Sequence, residues 1–300
     1  MTSPAIATDG LTKFYGETCG IESLDLHIER GEVFGFLGPN GAGKTTTIRL
    51  LLDLIRPTGG RAAIAGLDTR ADSLAVRRLT GYLPGELRLP ERSTGLAFLD
   101  HLGRLRGGVA GRAVAELAER LELDMSRRIG DLSKGNKQKV GVVAAFMHDP
   151  EVLILDEPTS GLDPLRQQTV LELIRERAAA GRTVFLSSHE LDQVEHAAGR
   201  VGIVRNGRLI AVESIATLKA RAVRHVEVHL TRPAGGLERL RETPGVRDLS
   251  LDGDVVRLVV EGSMDALVKE LANLSVRTLT SEAPDLDEIF LSYYGAGDGG

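Results

Sequence analysis

The sequence feature that most constrains this chain is a glycine-rich segment that follows a run of apolar residues. Residues 33–37 (VFGFL) predict a buried strand, and residues 38–45 (GPNGAGKT) fit the pattern G-x-x-x-x-G-K-[ST]. Glycines let the backbone curl so that successive N–H groups point inward at an anion, because side chains would block that approach. Residues 46–49 then open a helix, whose positive end adds to the same field. The strand, the loop and the helix together predict a site for a nucleoside triphosphate.

Two side chains of this segment have chemistry that suits such a ligand. Lys44 can reach the terminal phosphates, and the hydroxyl group of Thr45 can ligate Mg²⁺. The alternative is a glycine-rich turn between a strand and a helix that binds nothing. The flanking strand and helix favour the phosphate site.

Composition limits the other possibilities. A chain of 300 residues, 42% hydrophobic and 26% charged, is typical of a globular protein with one large or two ordinary domains. A net charge of −5 argues against broad affinity for nucleic acid, which needs a concentrated positive surface. A single cysteine, Cys19, cannot form an internal disulfide, and apolar runs are far shorter than the roughly 18 residues of a membrane span. We therefore expect a cytoplasmic protein whose contact with membranes goes through a partner.

Acidic residues and a histidine follow two further apolar runs. Residues 151–157 (EVLILDE) predict a buried parallel strand that ends in Asp156 and Glu157, and residues 183–188 predict another that ends at His189. Ligands of open α/β sheets bind at the carboxyl ends of the strands. Asp156 there suits a partner of Mg²⁺, and Glu157 suits a base for an attacking water. The alternative is that these side chains cap helices.

Two other positions have both a structural and a functional interpretation. Tyr15 lies at a turn about two strands before the glycine-rich loop, and it is either a packing residue or a stacking surface for adenine. Ser133, in the polar segment 132–138, is a natural N-cap of the helix that follows. The residue type alone does not decide between the structural and the functional interpretation at either position.

The middle of the chain predicts a helical block, and the end predicts a separate domain. Residues 92–128 are mostly helical in pattern, with apolar faces formed by Leu96, Leu99, Leu102 and Leu105 and later by Val114, Leu117 and Leu121. Asn206-Gly207 between two apolar runs predicts a hairpin. Residues 221–300 then read as a ferredoxin-like β-α-β-β-α-β unit with a closing helix at 284–291 and a disordered tail at 295–300. The expected domains are 1–220 and 221–300.

The order of the motifs points to one family. The motifs are Tyr15, GPNGAGKTT at 38–46, LSKGN at 132–136, LILDEP at 153–158, SGLD at 160–163 and His189. Over roughly residues 5–217 the chain strongly resembles the nucleotide-binding subunit of ATP-binding-cassette (ABC) transporters. The resemblance implies a P-loop NTPase cassette of class α/β, with a mixed sheet core, an antiparallel β subdomain and a helical subdomain. A small C-terminal α+β domain would follow.

The resemblance also implies ligands and partners, which we take as expectations. ATP and Mg²⁺ would be bound by a head-to-tail dimer with a second copy of this chain or a homologous cassette, in which each protomer closes over the nucleotide of the other. A separate transmembrane permease would hold the chain at the inner face of the cell membrane. No nucleic acid partner is implied. The implied roles are catalysis by Glu157, His189 and Lys44; nucleotide contacts by Tyr15, Gly38, Pro39, Asn40, Gly41, Ala42, Gly43, Lys44, Thr45, Thr46, Ser133, Gly135 and Asp163; and metal ligation by Thr45 and Asp156.

Two departures from the family pattern stand out. The segment 132–136 reads LSKGN where Leu-Ser-Gly-Gly-Gln is commonest, although Ser133 and Gly135 are kept. Gly85 stands where a glutamine is usual, and the neighbouring Glu86 is a candidate to replace it. Both variants and the C-terminal segment resemble single-cassette exporters of drugs, antibiotics and lipids. The alternative is a soluble ABC ATPase that acts on ribosomes or DNA, but such chains usually carry two cassettes or a long coiled coil, and this one has a single phosphate loop and no sustained heptads.

Overall fold

The computed structural model describes residues 3–221, 223–231 and 237–281, which form two units. The first unit ends at Glu213 and the second begins at Ser214, ahead of the boundary expected at 220. The helix over 215–221 therefore groups with the second unit rather than the first. The expected helix at 284–291 and the tail at 295–300 lie outside the described residues.

Strands and helices alternate through most of the described chain. In chain order they are β1 (Ile6–Tyr15), β2 (Thr18–Ile28), β3 (Val33–Leu37), α1 (Lys44–Leu51), β4 (Gly59–Ile64), β5 (Leu67–Asp68), α2 (Ser73–Leu79), β6 (Thr80–Leu83), α3 (Gly95–Leu105), α4 (Gly111–Arg120), α5 (Lys134–Phe146), β7 (Val152–Asp156), α6 (Pro164–Ala179), β8 (Thr183–Ser188), α7 (Leu191–Ala197), β9 (Arg200–Arg205), β10 (Arg208–Ser214), α8 (Ile215–Arg221), β11 (Val223–Leu230), α9 (Leu237–Glu242), β12 (Val246–Asp252), β13 (Val255–Glu261), α10 (Asp265–Leu271) and β14 (Val276–Ser281).

A six-stranded sheet in the order β10-β9-β3-β8-β7-β6 forms the centre of the first unit. Strands β9, β3, β8, β7 and β6 run parallel, and every residue of β3, β7 and β8 is buried, as apolar runs of this kind predict. The pairing sets Leu37 opposite Ser188 and Asp156 opposite Ser187. The ends of β3, β7 and β8 therefore meet at one edge of the sheet.

A second sheet of the first unit is antiparallel, in the order β2-β1-β4-β5. Its apolar side chains, among them Ile6, Ile28 and Ile64, share one buried cluster with Ile48 of α1 and Phe185 of β8. Helix α1 therefore packs in the same core as both sheets, and this fixes the position of the loop that precedes it. The mixed sheet core and the antiparallel β subdomain that we expected are both present.

The helices between β6 and β7 confirm one predicted apolar face and correct another. Val114, Leu117 and Leu121 are buried as expected. Of the four predicted leucines of α3, however, only Leu99 is fully buried, while Leu96 is 54% exposed and Leu105 is 71% exposed. The prediction was wrong for these two because a step of three residues falls short of the 3.6-residue turn, so residues nine apart lie on opposite faces.

After α8, the described part of the second unit is an α+β fold with the element order β-α-β-β-α-β. Its sheet has the order β12-β13-β11-β14 with antiparallel neighbours, so that β13 lies between β11 and β12. Val228 and Leu258 of the sheet share a buried cluster with Leu240 of α9 and Leu267 of α10. This arrangement is that of a split βαβ unit.

Gly81 of β6 gives a test of how closely the central sheet and α5 pack. A Cβ atom at this position would lie 2.2 Å from the carbonyl oxygen of Ala145 in α5 and 2.7 Å from Cγ of Pro150. We expect Gly81→Ala to lower the free energy of unfolding by about 1–3 kcal/mol, because the backbone of α5 must move to make room. Urea denaturation measures this change.

Gly199 offers the matched control, because a Cβ atom there meets no heavy atom within 4 Å. Gly199→Ala is expected to change the free energy of unfolding by no more than about 0.5 kcal/mol. Equal stability of the two variants would contradict the close packing of β6 and α5.

Candidate nucleotide-binding site

The glycine-rich loop connects β3 to α1 at the edge where the strands end. Gly41 has φ 81° and Gly43 has φ 109°, in the left-handed region that side chains rarely adopt. Gly43 is also the N-cap residue of α1, and no side chain caps the first N–H groups of this helix. Uncapped N–H groups at a helix N-terminus bind anions, so the loop has the backbone geometry that a phosphate site requires.

The loop is fixed from two sides by backbone contacts that only glycine permits. A Cβ atom at Gly38 would lie 2.5 Å from the carbonyl oxygen of Val204 in β9, and one at Gly43 would lie 2.7 Å from that of Gly20 in β2. The N–H group of Gly207, at the tip of the predicted β9–β10 hairpin, donates to the carbonyl oxygen of Ala42 at 3.0 Å. The loop is therefore held between the two sheets before any ligand binds.

Lys44 lies buried inside this loop. Its Nζ donates to the carbonyl oxygen of Gly38 at 2.6 Å and to that of Pro39 at 3.3 Å. Burial lowers the pKa of Lys44, and the charges of Glu157 and Asp156 act in the opposite direction. The two carboxylates thus help to keep a cation in a place that burial alone would disfavour.

Asp156, the last residue of β7, is almost fully buried and accepts two hydrogen bonds. Oδ2 accepts from the Thr45 hydroxyl at 2.8 Å, and Oδ1 accepts from the Ser187 hydroxyl of β8. A hydroxyl and a carboxylate in contact are hard oxygen donors of the kind that Mg²⁺ prefers. Such a pair leaves the other positions of the ion to phosphates and water, as is usual for Mg²⁺ beside a nucleotide.

Glu157 lies between Lys44 and His189, the two other residues predicted to be catalytic. Oε1 is 3.6 Å from Nζ of Lys44, and Oε2 is 2.9 Å from Nδ1 of His189. Its backbone has φ 51°, a strained conformation for a residue with a side chain. The three side chains come from α1, from the end of β7 and from the end of β8, and the parallel strand order brings them together.

A cavity of about 320 Å³ opens beside these groups. Gly85 lies against Asp156, because a Cβ atom at position 85 would be 3.1 Å from Oδ2 of that residue. Burial, and after it the charge of Asp156, raises the pKa of Tyr82 to about 12, so this hydroxyl keeps its proton. The residues that line the cavity are Gly20, Pro39, Asn40, Gly41, Gly43, Lys44, Thr45, Thr46, Arg49, Tyr82, Pro84, Gly85, Glu86, Asp156 and Glu157.

Tyr15 lies at the margin of this cavity rather than in its wall. It is the last residue of β1 and its side chain is about half exposed. The ring lies against Gly20, where an added Cβ atom would come within 2.9 Å of Cε2. Nζ of Lys13 is 5.2 Å from the ring centroid. An exposed ring beside a cavity-lining glycine suits a stacking role, which stays a prediction.

Three predicted nucleotide contacts lie apart from the cavity within this chain. Ser133 caps α5 by accepting from the N–H group of Asn136 at 3.3 Å, and Asp163 caps α6 by accepting from that of Arg166 at 3.1 Å. Gly135 lies beside these caps, since a Cβ atom there would be 2.6 Å from the carbonyl oxygen of Gly161. None of the three lines the cavity of this chain, so their nucleotide contacts stay predictions.

Three other residues touch the site although the sequence alone did not mark them. Ser187 donates to Asp156, Gln138 of α5 donates to the carbonyl oxygens of Glu157 and Pro158, and Gln193 of α7 accepts from the hydroxyl of Thr159. Ser187 could have been found as the polar residue that ends an apolar strand beside His189. Both glutamines lie within helices, and no local pattern marks them.

The fold and the site define a phosphate-loop nucleotide-binding protein, and comparison with known proteins narrows the class. The ABC transporter family model matches residues 21–160. The daunorubicin resistance ATP-binding protein DrrA3 of Streptomyces coeruleorubidus is 36% identical over 98% of this chain and 97% of its own length. The bacitracin transport ATP-binding protein BcrA of Enterococcus faecalis is 30% identical over 97% of each. The chain belongs to the ABC transporter family as an ATP-binding subunit.

A solved structure agrees with this assignment. The ATP-binding subunit of an ABC transporter superposes with a TM-score of 0.66 at 31% identity, covering 72% of this chain and 92% of the other. In the part of the chain that the structure describes, no helix is long and apolar enough to cross a membrane.

The position of Glu157 predicts how the pKa of Lys44 responds to substitution. In Glu157→Gln the burial of Lys44 remains but the nearest negative charge is lost, so we expect its pKa to fall further below 10.5. NMR titration of a ¹³Cε-lysine-labelled protein measures this, with Lys44→Arg assigning the resonance. An unchanged or raised pKa would show that Glu157 does not act on Lys44.

Proposed function

We propose that this chain is the ATP-hydrolysing subunit of an exporter for drugs, antibiotics or lipids. The observation that carries the proposal is the carboxylate of Glu157 between Lys44 and His189, beside a cavity lined by the phosphate loop. The names of its relatives, which refer to daunorubicin resistance and bacitracin transport, support export of compounds of this class.

In the proposed reaction a water molecule attacks the terminal phosphorus of ATP. Its proton passes to Glu157 while the bond to the bridging oxygen breaks and ADP leaves. Lys44 balances the charge on the phosphate oxygens, and His189 orients Glu157 through their hydrogen bond. Thr45 and Asp156 would hold Mg²⁺, which supplies further charge neutralisation. Loss of one such contact costs about 3–4 kcal/mol of barrier.

Assembly of the site requires a second copy of this chain. Ser133, Gly135 and Asp163 lie away from the cavity of their own chain, and both Ser133 and Asp163 are exposed. A head-to-tail pair of protomers would bring each Ser133 over the nucleotide of its partner and enclose two ATP molecules. ATP then acts as a link between protomers, and hydrolysis lets them separate.

A groove on the first unit supports docking of a transmembrane permease. It has a volume of about 980 Å³ and lies between α2, the end of α3 and the residues that follow α5. Leu74 and Leu105 expose apolar side chains there, next to the guanidinium groups of Arg77 and Arg106. An apolar groove with a basic rim suits a short amphipathic helix with acidic residues. The permease would hold the chain at the inner face of the cell membrane.

Replacing Glu157 tests the proposed chemistry. Glu157→Gln keeps the shape of the side chain but cannot take the proton, so we expect ATP to bind while hydrolysis falls by about a hundredfold or more. ATP should then accumulate a dimer, which size-exclusion chromatography with light scattering detects. Lys44→Ala is the comparison that should neither bind ATP tightly nor dimerise. A monomeric Glu157→Gln variant with full activity would contradict the assignment.

A charge in the groove tests the docking surface. Leu105→Asp is expected to abolish co-purification of a multi-span membrane protein with this chain, because it puts a carboxylate on the apolar wall. Leu96→Asp is the matched control on the opposite face of α3 and should leave co-purification unchanged. Mass spectrometry of membrane extracts gives the readout, and unfolding midpoints confirm that both variants fold. Retention of the partner by Leu105→Asp would exclude this groove.

A further inference from the structure

Two buried glutamines hold the three residues that follow Asp156. On one side, Nε2 of Gln138 donates to the carbonyl oxygen of Glu157 at 3.1 Å and to that of Pro158 at 3.0 Å. On the other side, Oε1 of Gln193 accepts from the hydroxyl of Thr159. Both glutamine side chains are buried, so each hydrogen bond is made away from competing water.

The segment held in this way contains the strained backbone of Glu157. Its φ of 51° is a conformation that glycine adopts readily and that a residue with a side chain keeps only when its surroundings impose it. The N–H group of Glu157 donates to the carbonyl oxygen of Ser187 at 3.1 Å, and its own carbonyl oxygen is held by Gln138. Strained residues of this kind concentrate at functional sites.

The second glutamine connects the same segment to the histidine loop. Gln193 accepts from Ser188 at 3.5 Å as well as from Thr159, and its amide donates to the carboxylate of Glu190. Ser188 and Glu190 flank His189, and Ser188 also accepts from the N–H group of Glu190 at 3.0 Å. The two loops that carry Glu157 and His189 are therefore connected through Gln193 as well as by the direct hydrogen bond between Glu157 and His189.

We propose that Gln138 and Gln193 are positioning residues that clamp the turn at 157–159 and so set the carboxylate of Glu157 against Lys44 and His189. The inference rests on the proposed ATPase function and deepens it. Gln138 lies on α5, the helix that Ser133 and Gly135 begin, so the clamp also connects the surface offered to a second protomer with the base of the reaction in the same chain.

Two substitutions test Gln138, and both remove the Nε2 donor while they differ from each other in shape and charge. Gln138→Leu leaves two carbonyl oxygens without a partner, and Gln138→Glu fills the same space but sets a carboxylate against them. In the full chain we expect both to lower kcat about ten- to a hundredfold, with the dissociation constant for ATP within about twofold of wild type. Gln168→Leu, an exposed glutamine on α6, is the matched control and should keep wild-type kcat.

Gln193 is tested by a double-mutant cycle, which also covers the case in which a Gln138 variant does not fold. Thr159→Val removes one hydroxyl group and Gln193→Leu removes its acceptor, so each should lower kcat about tenfold and the double variant should lose no more than one of them. Gln193→Glu keeps the acceptor for Thr159 but loses the donor to Glu190 and sets two carboxylates together, so it should be at least as slow as Gln193→Leu. Losses that multiply in the double variant, or a Gln193→Glu variant with wild-type kcat, would overturn the clamp.

ATP hydrolysis by the wild-type protein distinguishes an error in the proposed clamp from an error in the proposed function. If wild type hydrolyses ATP and all folded Gln138, Thr159 and Gln193 variants match its kcat, the clamp is wrong and the ATPase assignment stands. If wild type binds no ATP and releases no phosphate from it, the assignment falls and the clamp falls with it. A loss seen only in KM would show that these residues serve nucleotide binding rather than the position of Glu157.

Discussion

The buried carboxylate of Asp156 is the interaction on which the rest of the site depends. A charge at this depth is stable only if hydrogen bonds replace the water it has lost, and the hydroxyl groups of Thr45 and Ser187 supply them. Thr45 belongs to α1, Asp156 to β7 and Ser187 to β8, so one carboxylate joins the phosphate loop to two strand ends. The cavity, the pair proposed to bind Mg²⁺ and Glu157 take their positions from this connection.

Around Asp156, burial and backbone strain accompany the positions of Lys44 and Glu157. Lys44 lies inside the loop at a burial cost that two carboxylates offset only in part, and Glu157 has a left-handed backbone conformation. These are arrangements that an isolated segment would not adopt, since each is unfavourable alone. The parallel sheet, the packed α1 helix and the hairpin at Gly207 impose them together.

The sequence predicted the elements around the site and the sheet edge at which their strands end, but it missed long-range side-chain contacts and one helix face. The strand, loop and helix around Lys44 could be predicted because their pattern is local, and the positions of Asp156 and His189 followed from the rule that parallel strands end at one edge. Gln138 and Gln193 could not be predicted, because their partners are set by how α5 and α7 pack. The face of α3 was wrong at Leu96 and Leu105, since spacing by threes does not follow the helical turn over nine residues.

We have proposed that each site needs the phosphate loop of one chain and the Ser133 segment of another. Mixing two inactive variants tests this: Lys44→Ala, which disables the loop, and Ser133→Arg, which would block the exposed segment proposed to face the partner. A mixed dimer would contain one site with an intact Lys44 from one chain and an intact Ser133 from the other. We expect ATP hydrolysis to reappear on mixing. Activity that stays at the sum of the two separate variants would show that the site does not span two chains.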